Sequence, residues 1–192
     1  MTDAHPPVPL ADALVAASAI VAEGVSCGAF KRTEIAGSIR RGKEHVHDIE
    51  IVTEEGDYFG GVPAFLSSIG VVRGPPNKAG AKAPWGPKYY KGILSRGRIA
   101  GTQLDLFVVT PPAQWGVVFL IRTGSAEFSQ AVVTRLRRYG LRSEDGRIVD
   151  LGNKTIPVDS EEDVFERVRL PYVPPEKRDM GIPETRALFD RP

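Results

Sequence analysis

Hydrophobic and polar positions predict a first helix, then a mixed sheet, then a second group of helices. Apolar residues at helical spacing predict the first helix over residues 10–23, with Gly24 as its stop. Alternation of apolar and polar positions predicts strands over residues 34–38, 48–53, 89–94 and 103–109. The apolar stretch of residues 62–72 is ambiguous between helix and strand.

The segments between these elements are rich in glycine, proline and basic residues. A polar, basic turn is predicted over residues 39–47 and a long basic loop over residues 73–87. Pro111 and Pro112 mark a break, after which helical patterns dominate. The predicted organisation is a disordered start, a first domain and a smaller second domain. Their bounds are residues 1–9, 10–110 and 111–192.

Two capping patterns define helices in the predicted second domain. Ser125 is expected to cap a helix that runs to Tyr139 and is ended by Gly140. Ser160 and Asp163 have the spacing of a capping box and predict a last short helix. The fold class is therefore α+β, with a mixed sheet followed by a small α-rich lobe.

The bulk composition indicates an ordinary globular protein of 192 residues, 42% of them hydrophobic. The sequence has neither a run of about 18 apolar residues nor a secretory signal pattern, which favours a cytosolic protein with no membrane partner. The single cysteine, Cys27, cannot form an intramolecular disulfide and is predicted to be a buried structural thiol. The oligomeric state cannot be read from the sequence.

Charge is unevenly distributed, although the net charge is only +1. No acidic residue occurs between Tyr58 and Leu104, and this stretch carries seven basic residues with aromatic ones interleaved. Such a segment predicts a surface that faces a polyanion, although lysine-rich loops are often merely solvated. The predicted nucleic-acid contacts are Lys78, Lys82, Lys88, Lys91 and Arg96.

The segment GSIRRGKEHVHDIEIV places two carboxylates on one predicted strand. Residues i and i+2 of a strand project to the same face, so Asp48 and Glu50 present their carboxylates side by side. Adjacent carboxylates repel each other unless a cation lies between them, and hard oxygen ligands favour Mg²⁺. The spacing therefore predicts a magnesium site.

The turn before this strand offers groups that suit a triphosphate. Gly37 and Ser38 supply a backbone amide and a hydroxyl, and Arg40 or Arg41 supplies a planar guanidinium. A phosphate-binding turn beside a metal site points to catalysis.

A third carboxylate, Asp105, lies in the alternating segment QLDLFVV. On a neighbouring strand it would complete a cluster able to hold two metal ions about 3.5–4 Å apart. One ion would activate an attacking hydroxyl and the other would stabilise the leaving pyrophosphate. Asp105 would be the general base or its metal-bound assistant.

Each of these features has an ordinary structural explanation when it occurs alone. A D-x-E pair is more often a solvated strand face, and a single Asp such as Asp105 is more often a strand-end residue. His45 and His47 lie close to the carboxylates in sequence but are predicted to be solvent-exposed. The joint occurrence of the carboxylates and the turn, in this order, favours the catalytic interpretation.

The pattern G-S-x-R-R-G-x-E-x₃-D-x-[DE] resembles the palm motif of family X DNA polymerases, within the nucleotidyltransferase superfamily. The tripeptide QLD at residues 103–105 is similar to the strand that carries that family's third catalytic Asp, and RTGS at residues 122–125 is similar to the segment that opens its thumb. PVDSEEDVF at residues 157–165 is similar to the thumb's closing segment. The likeness covers about residues 10–179 and extends to small palm-and-thumb proteins of phages and prophages.

The resemblance implies a fold, cofactors and partners. The fold would be a nucleotidyltransferase palm, a mixed sheet with flanking helices, followed by a thumb that closes on the incoming nucleotide. The cofactors would be two Mg²⁺ ions, for which Mn²⁺ can substitute. The partners would be a nucleoside triphosphate and a DNA primer-template.

The resemblance also implies a role for each matching residue. The catalytic metal ligands would be Asp48, Glu50 and Asp105. The β- and γ-phosphates would be held by Gly37, Ser38 and Arg41. The nucleotide's sugar and base would lie by Thr123, Gly124 and Ser125.

The sequence departs from the family pattern in four places. Glu50 replaces the usual Asp, and Ile121-Arg122 stands where an aromatic pair normally helps to exclude ribonucleotides. Ala126 and Ser129 replace residues expected to touch the base. Only about ten residues precede the palm, in place of the lyase and helix-hairpin-helix modules.

Three functions are compatible with these features. The first is a minimal DNA polymerase, of the DNA-repair family, that transfers a nucleotide from a (deoxy)nucleoside triphosphate to a nucleic-acid 3′-OH with release of pyrophosphate. The alternative is a template-independent nucleotidyltransferase acting on a nucleic-acid end, a protein or a small molecule. A catalytically inactive nucleic-acid-binding module, with Glu50 as a mark of decay, is the third. Clustered carboxylates are costly without a function, which speaks against the third.

Overall fold

The computed structural model describes residues 6–77 and 79–190, and the chain forms two compact units with the division after Val108. The strands of the first unit are β1 Val8–Pro9, β2 Phe30–Ile35, β3 His45–Val46, β4 Asp48–Glu55, β5 Val71–Arg73, β6 Trp85–Gly86, β7 Tyr89–Leu94 and β8 Gln103–Val108. Its helices are α1 Leu10–Ser26, α2 Gly37–Arg40 and α3 Gly61–Ser68.

The main sheet of the first unit has the order β2-β4-β8-β7-β5, with β6 paired to β7. The β4 and β8 strands run parallel, whereas the other pairs are antiparallel. Alternation along β4 sends Ile49 and Ile51 into the core, where both are fully buried. The opposite face of β4 carries Asp48 and Glu50, so the strand and its polar face agree with the prediction.

The first helix is longer than the sequence indicated. It continues to Ser26, so the prediction that Gly24 stops it is wrong. Gly24 is needed for close packing instead, because a Cβ there would lie 2.2 Å from the Phe30 ring. Cys27 follows the helix and is exposed, which corrects the prediction of a buried thiol.

The segment before β4 also differs from its prediction. The strand predicted over residues 34–38 ends at Ile35, and the short helix α2 begins at Gly37. The φ angle of Gly37 is +62°, a left-handed conformation that ends the extended chain and favours glycine. The predicted turn over residues 39–47 contains the end of this helix and β3.

The remaining elements of the first unit lie close to their predicted positions. The ambiguous stretch of residues 62–72 is a helix followed by a strand, α3 and β5. The strand predicted over residues 89–94 is β7, and β8 ends one residue before its predicted end. Of the start predicted to be disordered, Val8–Pro9 pairs with His45–Val46. Residues 1–5 lie outside the described part of the chain.

The second unit combines helices with a small sheet. Its helices are α4 Trp115–Thr123, α5 Ala126–Arg138, α6 Glu161–Arg167, the 3₁₀ helix Pro175–Lys177 and α7 Pro183–Phe189. Its strands are β9 Leu141–Glu144, β10 Arg147–Asp150 and β11 Thr155–Ile156, in the antiparallel order β11-β10-β9. The sequence indicated neither this sheet nor α7, so α6 is not the last helix.

Both predicted helix caps of the second unit are present. The Ser125 hydroxyl accepts a hydrogen bond from the Phe128 backbone N–H at 3.2 Å. Ser160 accepts one from the Asp163 N–H at 3.1 Å, and the Asp163 carboxylate accepts one from the Ser160 N–H at 2.9 Å. The Asp159 N–H also donates to the Asp163 carboxylate, at 2.8 Å, and the Asp159 and Ser160 backbone donors together lower the pKa of Asp163. The capping box is thus complete.

A buried ion pair links two segments of the second unit. Arg178 is fully buried and its guanidinium donates to both carboxylate oxygens of Glu161. Its Nε also donates to the Val173 carbonyl at 2.8 Å, and its guanidinium lies 5.3 Å from the Phe165 and Tyr172 ring centroids. These hydrogen bonds and ring contacts offset part of the free-energy cost of removing the two charges from water.

Within the described residues, no helix is both long enough and apolar enough to cross a membrane.

Candidate active site

Three carboxylates lie on one face of the first unit's sheet, on two adjacent parallel strands. Glu50 on β4 is the register partner of Asp105 on β8, and Asp48 is the partner of Gln103. Register partners share a face, so the three acidic side chains project from the same side. Asp105 is buried, and Asp48 and Glu50 are half-buried.

Asp48 is held in an environment that disfavours its charge. Burial raises the pKa of this carboxyl above its ordinary value of 3.8, and the negative charge of Asp105 raises it further. The nearby positive charges of Lys91 and Arg41, together with His47, act in the opposite direction without cancelling the shift. Two carboxylates that raise each other's cost of ionisation form a site that a cation would stabilise.

Asp105 has a hydrogen-bond donor on each of its oxygens. The Tyr89 hydroxyl donates to Oδ1 at 2.9 Å, and the Gln103 side-chain amide donates to Oδ2 at 2.8 Å. In the sequence, Tyr89 is one of the aromatic residues interleaved in the basic segment, and it carries no pattern of its own. Its contact with Asp105 depends on the pairing of β7 with β8, a non-local feature for which the sequence has no direct signal.

Glu50 lies against the turn before its own strand. Its Oε2 is 1.9 Å from the position that a Cβ would take on Gly37. The Ala36 N–H also donates to the Glu50 backbone carbonyl at 2.8 Å. Only glycine at position 37 leaves room for the carboxylate, so Gly37 and Glu50 are packed together at the beginning of α2.

The predicted phosphate-binding turn adopts one turn of helix. Ser38 is half-buried, and its hydroxyl oxygen has no hydrogen-bond partner and no exposed surface. Buried polar atoms are rarely left in this state. Arg40 and Arg41 are both half-buried, and Arg41 is close enough to Asp48 to affect its pKa. The turn therefore combines an unsatisfied hydroxyl with a guanidinium near the carboxylates.

The acidic face of the sheet offers hard oxygen atoms to a divalent cation. Across residues 6–77 and 79–190, no three acidic, histidine or cysteine side chains lie together closely enough to hold a metal ion as they stand. Asp48 and Asp105 nevertheless supply the hard carboxylate oxygens that Mg²⁺ prefers, and a cation would relieve their repulsion. The chemistry of the two aspartates thus fits a divalent cation, and Glu50 carries the third carboxylate of the same face.

If these carboxylates are catalytic, Gly37→Ala is expected to lower the kcat/KM of their reaction by roughly a hundredfold, the scale of a 1 Å misplacement in a catalytic site. The methyl group would displace the Glu50 carboxylate, and a left-handed alanine costs about 1–2 kcal/mol. Steady-state kinetics and urea unfolding of the variant measure the two effects separately.

Gly42→Ala is the matched control for this substitution. Gly42 also has a positive φ, +69°, but a Cβ there would have no heavy atom within 4 Å. Both variants should lose similar stability, and only Gly37→Ala should lose activity. Equal kinetics of the two variants would show that the contact with Glu50 has no role.

The other predicted nucleotide contacts belong to the second unit. Thr123 is fully buried, and a Cβ on Gly124 would lie 2.6 Å from the Phe128 ring. The Ser125 N–H donates to the Arg178 carbonyl at 3.0 Å while its hydroxyl caps α5. Within their own unit these residues therefore fix the start of α5.

The predicted nucleic-acid contacts occupy different environments. Lys82 and Lys88 are exposed, and Lys91 is half-buried as the register partner of Asp105. Arg96 is exposed, but its guanidinium donates to the Ser68 and Ile69 carbonyls at the end of α3, at 2.6 and 3.3 Å. Lys78 lies outside the described residues.

A cavity of about 850 Å³ opens beside the carboxylates, within the first unit. Asp48, Lys91, Gln103 and Tyr89 line it on the sheet side, and the basic loop lines it with Lys82 among other residues. The loop is held by Arg73, whose guanidinium donates to the Ala83 carbonyl. The cavity thus brings the carboxylate site together with part of the predicted basic surface.

The architecture is a mixed sheet with acidic residues on adjacent strands in the first unit, and capped helices with a small sheet in the second. Residues 118–179 match the DNA polymerase beta thumb family. The fold matches the solved structure of Leishmania infantum polymerase beta in a ternary P/T complex, with a TM-score of 0.73 and 19% sequence identity. The match covers 92% of this chain and 78% of that chain. No curated protein matches this chain in sequence.

These comparisons establish a polymerase beta-like fold with a thumb segment of the DNA polymerase beta type. The predicted fold class and the predicted likeness to polymerase beta are confirmed. At 19% identity the structural match shows the fold alone.

Proposed function

We propose that the protein transfers a nucleotide from a (deoxy)nucleoside triphosphate to the 3′-hydroxyl of a nucleic acid, with release of pyrophosphate. The observation that carries the proposal is the register of β4 and β8, which gives Asp48, Glu50 and Asp105 a common face beside the turn at Gly37. The polymerase beta-like fold supports the same conclusion.

The proposed roles follow from the contacts of each residue. Asp48 and Asp105 would bind Mg²⁺ or Mn²⁺, and Glu50, held against Gly37, would supply the third carboxylate of the same face. Two such ions, when bound, would activate the 3′-hydroxyl and stabilise the charge on pyrophosphate. The Ser38 hydroxyl and the Arg41 guanidinium would orient the β- and γ-phosphates, because the hydroxyl has no hydrogen-bond partner of its own and the guanidinium lies near Asp48.

The proposed reaction forms one bond and breaks one. The 3′-oxygen attacks the α-phosphorus, the bond from that phosphorus to the β-phosphate's bridging oxygen breaks, and pyrophosphate leaves. Asp105 is the group proposed to receive the proton of the 3′-hydroxyl, directly or through water. In the second unit, Thr123, Gly124 and Ser125 are proposed to contact the sugar and base, as the likeness to family X polymerases implies.

A DNA primer-template is the proposed acceptor. The cavity beside Asp48 is lined by Lys82 and Lys91, which suits an anionic strand end next to the reacting groups. The matched Leishmania protein was solved in a ternary P/T complex, and we extend that partner to this chain as part of the proposal.

Template-dependent extension is the direct test of this acceptor. A labelled primer should be extended by the wild-type protein in Mg²⁺ or Mn²⁺, and the added nucleotide should follow the template base. Extension that ignores the template would instead favour the second candidate, a template-independent nucleotidyltransferase.

That second candidate is favoured by the size of the cavity. About 850 Å³ lies within the range that admits a drug-sized molecule, so a small acceptor could reach Asp48. Transfer of labelled nucleotide to protein or small-molecule acceptors, without transfer to DNA, would support it.

Lys82→Ala is expected to weaken DNA binding for all sequences alike. Loss of one phosphate contact should reduce the magnitude of the negative slope of log K against log salt concentration by about 0.9. The affinity at 0.1 M salt should fall roughly fivefold to tenfold. Fluorescence anisotropy over a salt series measures the slope. Lys31→Ala, which removes an exposed lysine that pairs with Asp57 at 3.4 Å, is the control and should leave the slope unchanged. An unaltered slope in Lys82→Ala would exclude a phosphate contact there.

A further inference from the structure

The buried carboxylate of Asp105 is held from both sides by neutral donors. Tyr89 reaches Oδ1 from β7, and Gln103 reaches Oδ2 from two residues earlier on β8, at 2.9 and 2.8 Å. Asp105 is only 7% exposed, so few water molecules can compete with these donors. The carboxylate plane is therefore fixed by protein groups.

Tyr89 is itself rigidly placed. It is the register partner of Phe107 across the antiparallel β7–β8 pair, and the two rings are stacked with centroids 4.7 Å apart and planes 10° apart. Lys91, two residues further along β7, is the register partner of Asp105. Tyr89, Lys91 and Asp105 therefore share one face of the sheet, and the stacked ring restricts the position of the hydroxyl.

The hydroxyl also lies beside the proposed reaction space. Tyr89 and Gln103 line the same cavity as Asp48, so both donors to Asp105 are at the boundary between the buried carboxylate and the opening. A tyrosine whose hydroxyl served only to satisfy a core polar group would not need this location.

We propose that Tyr89 is a positioning residue for Asp105. Its hydroxyl keeps the carboxylate in the orientation proposed to bind a divalent cation and to meet the 3′-hydroxyl. Partners of this kind around metal ligands typically change metal affinity or activity by 10–100-fold when removed. The proposal rests on the proposed function and adds to it a residue that the sequence pattern did not identify.

Tyr89→Phe tests the proposal because it removes one oxygen and keeps the ring that stacks on Phe107. Binding of Mn²⁺ alone, followed by electron paramagnetic resonance, should show a 10–100-fold higher Kd, and kcat should fall by a similar factor. KM for the nucleoside triphosphate should change less than twofold, because Ser38 and Arg41 are unaltered. If the role of Tyr89 were purely structural, the Tyr89→Phe variant would bind Mn²⁺ with the same affinity as the wild-type protein.

Tyr90→Phe is the matched control. Tyr90 is the next residue of β7, lies on the opposite face in the core and contacts Trp85 edge to face. This variant should keep the wild-type Mn²⁺ affinity and kcat.

Three outcomes decide between the possibilities. A selective loss in Tyr89→Phe supports the positioning role. Wild-type Mn²⁺ affinity and kcat in Tyr89→Phe, with an active wild-type protein, would overturn the role and leave the proposed function intact. A wild-type protein that neither binds Mn²⁺ nor transfers nucleotide would overturn both.

Discussion

Asp48→Asn is expected to lower the rate of nucleotide transfer by roughly three orders of magnitude, the scale of losing a fixed charge at a reacting centre. The same substitution is expected to stabilise the metal-free protein at neutral pH. Burial and the charge of Asp105 raise the pKa of the Asp48 carboxyl in the folded protein. The ionised form is therefore penalised by folding, and an amide of the same shape removes the penalty.

The pH dependence follows from the direction of this shift. Because the pKa is raised, the contribution of Asp48 to stability is fully present below the ordinary value of 3.8 and is lost as pH rises through the folded value. The advantage of Asp48→Asn should thus grow from acidic to neutral pH, as measured by urea unfolding over a pH series.

Asp57→Asn is the matched control for this experiment. Asp57 has a side chain that is 92% exposed, so the same chemical change should alter neither activity nor the pH dependence. An Asp48→Asn protein that is less stable than wild type at pH 7 would contradict the electrostatic account of the site. Addition of Mg²⁺ should raise the Tm of the wild-type protein more than that of Asp48→Asn.

Arg178→Ala is expected to reduce the free energy of unfolding by about 3–5 kcal/mol, the cost of leaving one charge of a buried pair uncompensated. Arg178 is fully buried and Glu161 is 5% exposed, so water cannot replace the lost guanidinium without opening the second unit. The Val173 carbonyl would also lose its donor, and the Phe165 ring would lose a packed neighbour. Urea unfolding monitored by circular dichroism measures the loss.

Two further variants identify the cause. Arg178→Met combined with Glu161→Leu should recover much of the stability, because apolar side chains of similar volume avoid the desolvation of both charges. Glu144→Ala removes two partly exposed ion pairs in the same unit, with Arg142 and Arg147, and should cost less than about 1 kcal/mol. A cost for Arg178→Ala as small as that of Glu144→Ala would mean that the buried pair does not hold this unit together.

Local patterns were sufficient to predict elements whose signals are short-range. The alternation in DIEIVT fixed β4, and the serines at positions 125 and 160 fixed two helix starts, because each pattern depends on neighbours a few residues apart. Gly24 does not end the first helix, because glycine at this position allows close contact with Phe30, a tertiary feature. The small sheet of the second unit was missed because its strands are short and turn through Asp145 and Gly146, which have positive φ.

The residues of the candidate site also fall into two groups, those that a short-range pattern predicts and those that depend on tertiary contacts. The face shared by Asp48 and Glu50 follows from the two-residue period of a strand. Placing Asp105 opposite Glu50 requires in addition that β8 lie beside β4 in the observed parallel register. Tyr89 could not be identified, because its hydrogen bond to Asp105 depends on the register of β7 with β8. The contact of Glu50 with Gly37 likewise depends on the left-handed backbone conformation of the turn.

Side-by-side primer extension by the wild-type protein and Asp105→Ala, in Mg²⁺ on the same primer-template, tests the central claim most directly. The account predicts extension and pyrophosphate release by the wild type and neither by the variant, with matching circular dichroism spectra. Unaltered turnover in a folded Asp105→Ala protein would contradict the assignment of this carboxylate, and with it the catalytic site on β4 and β8.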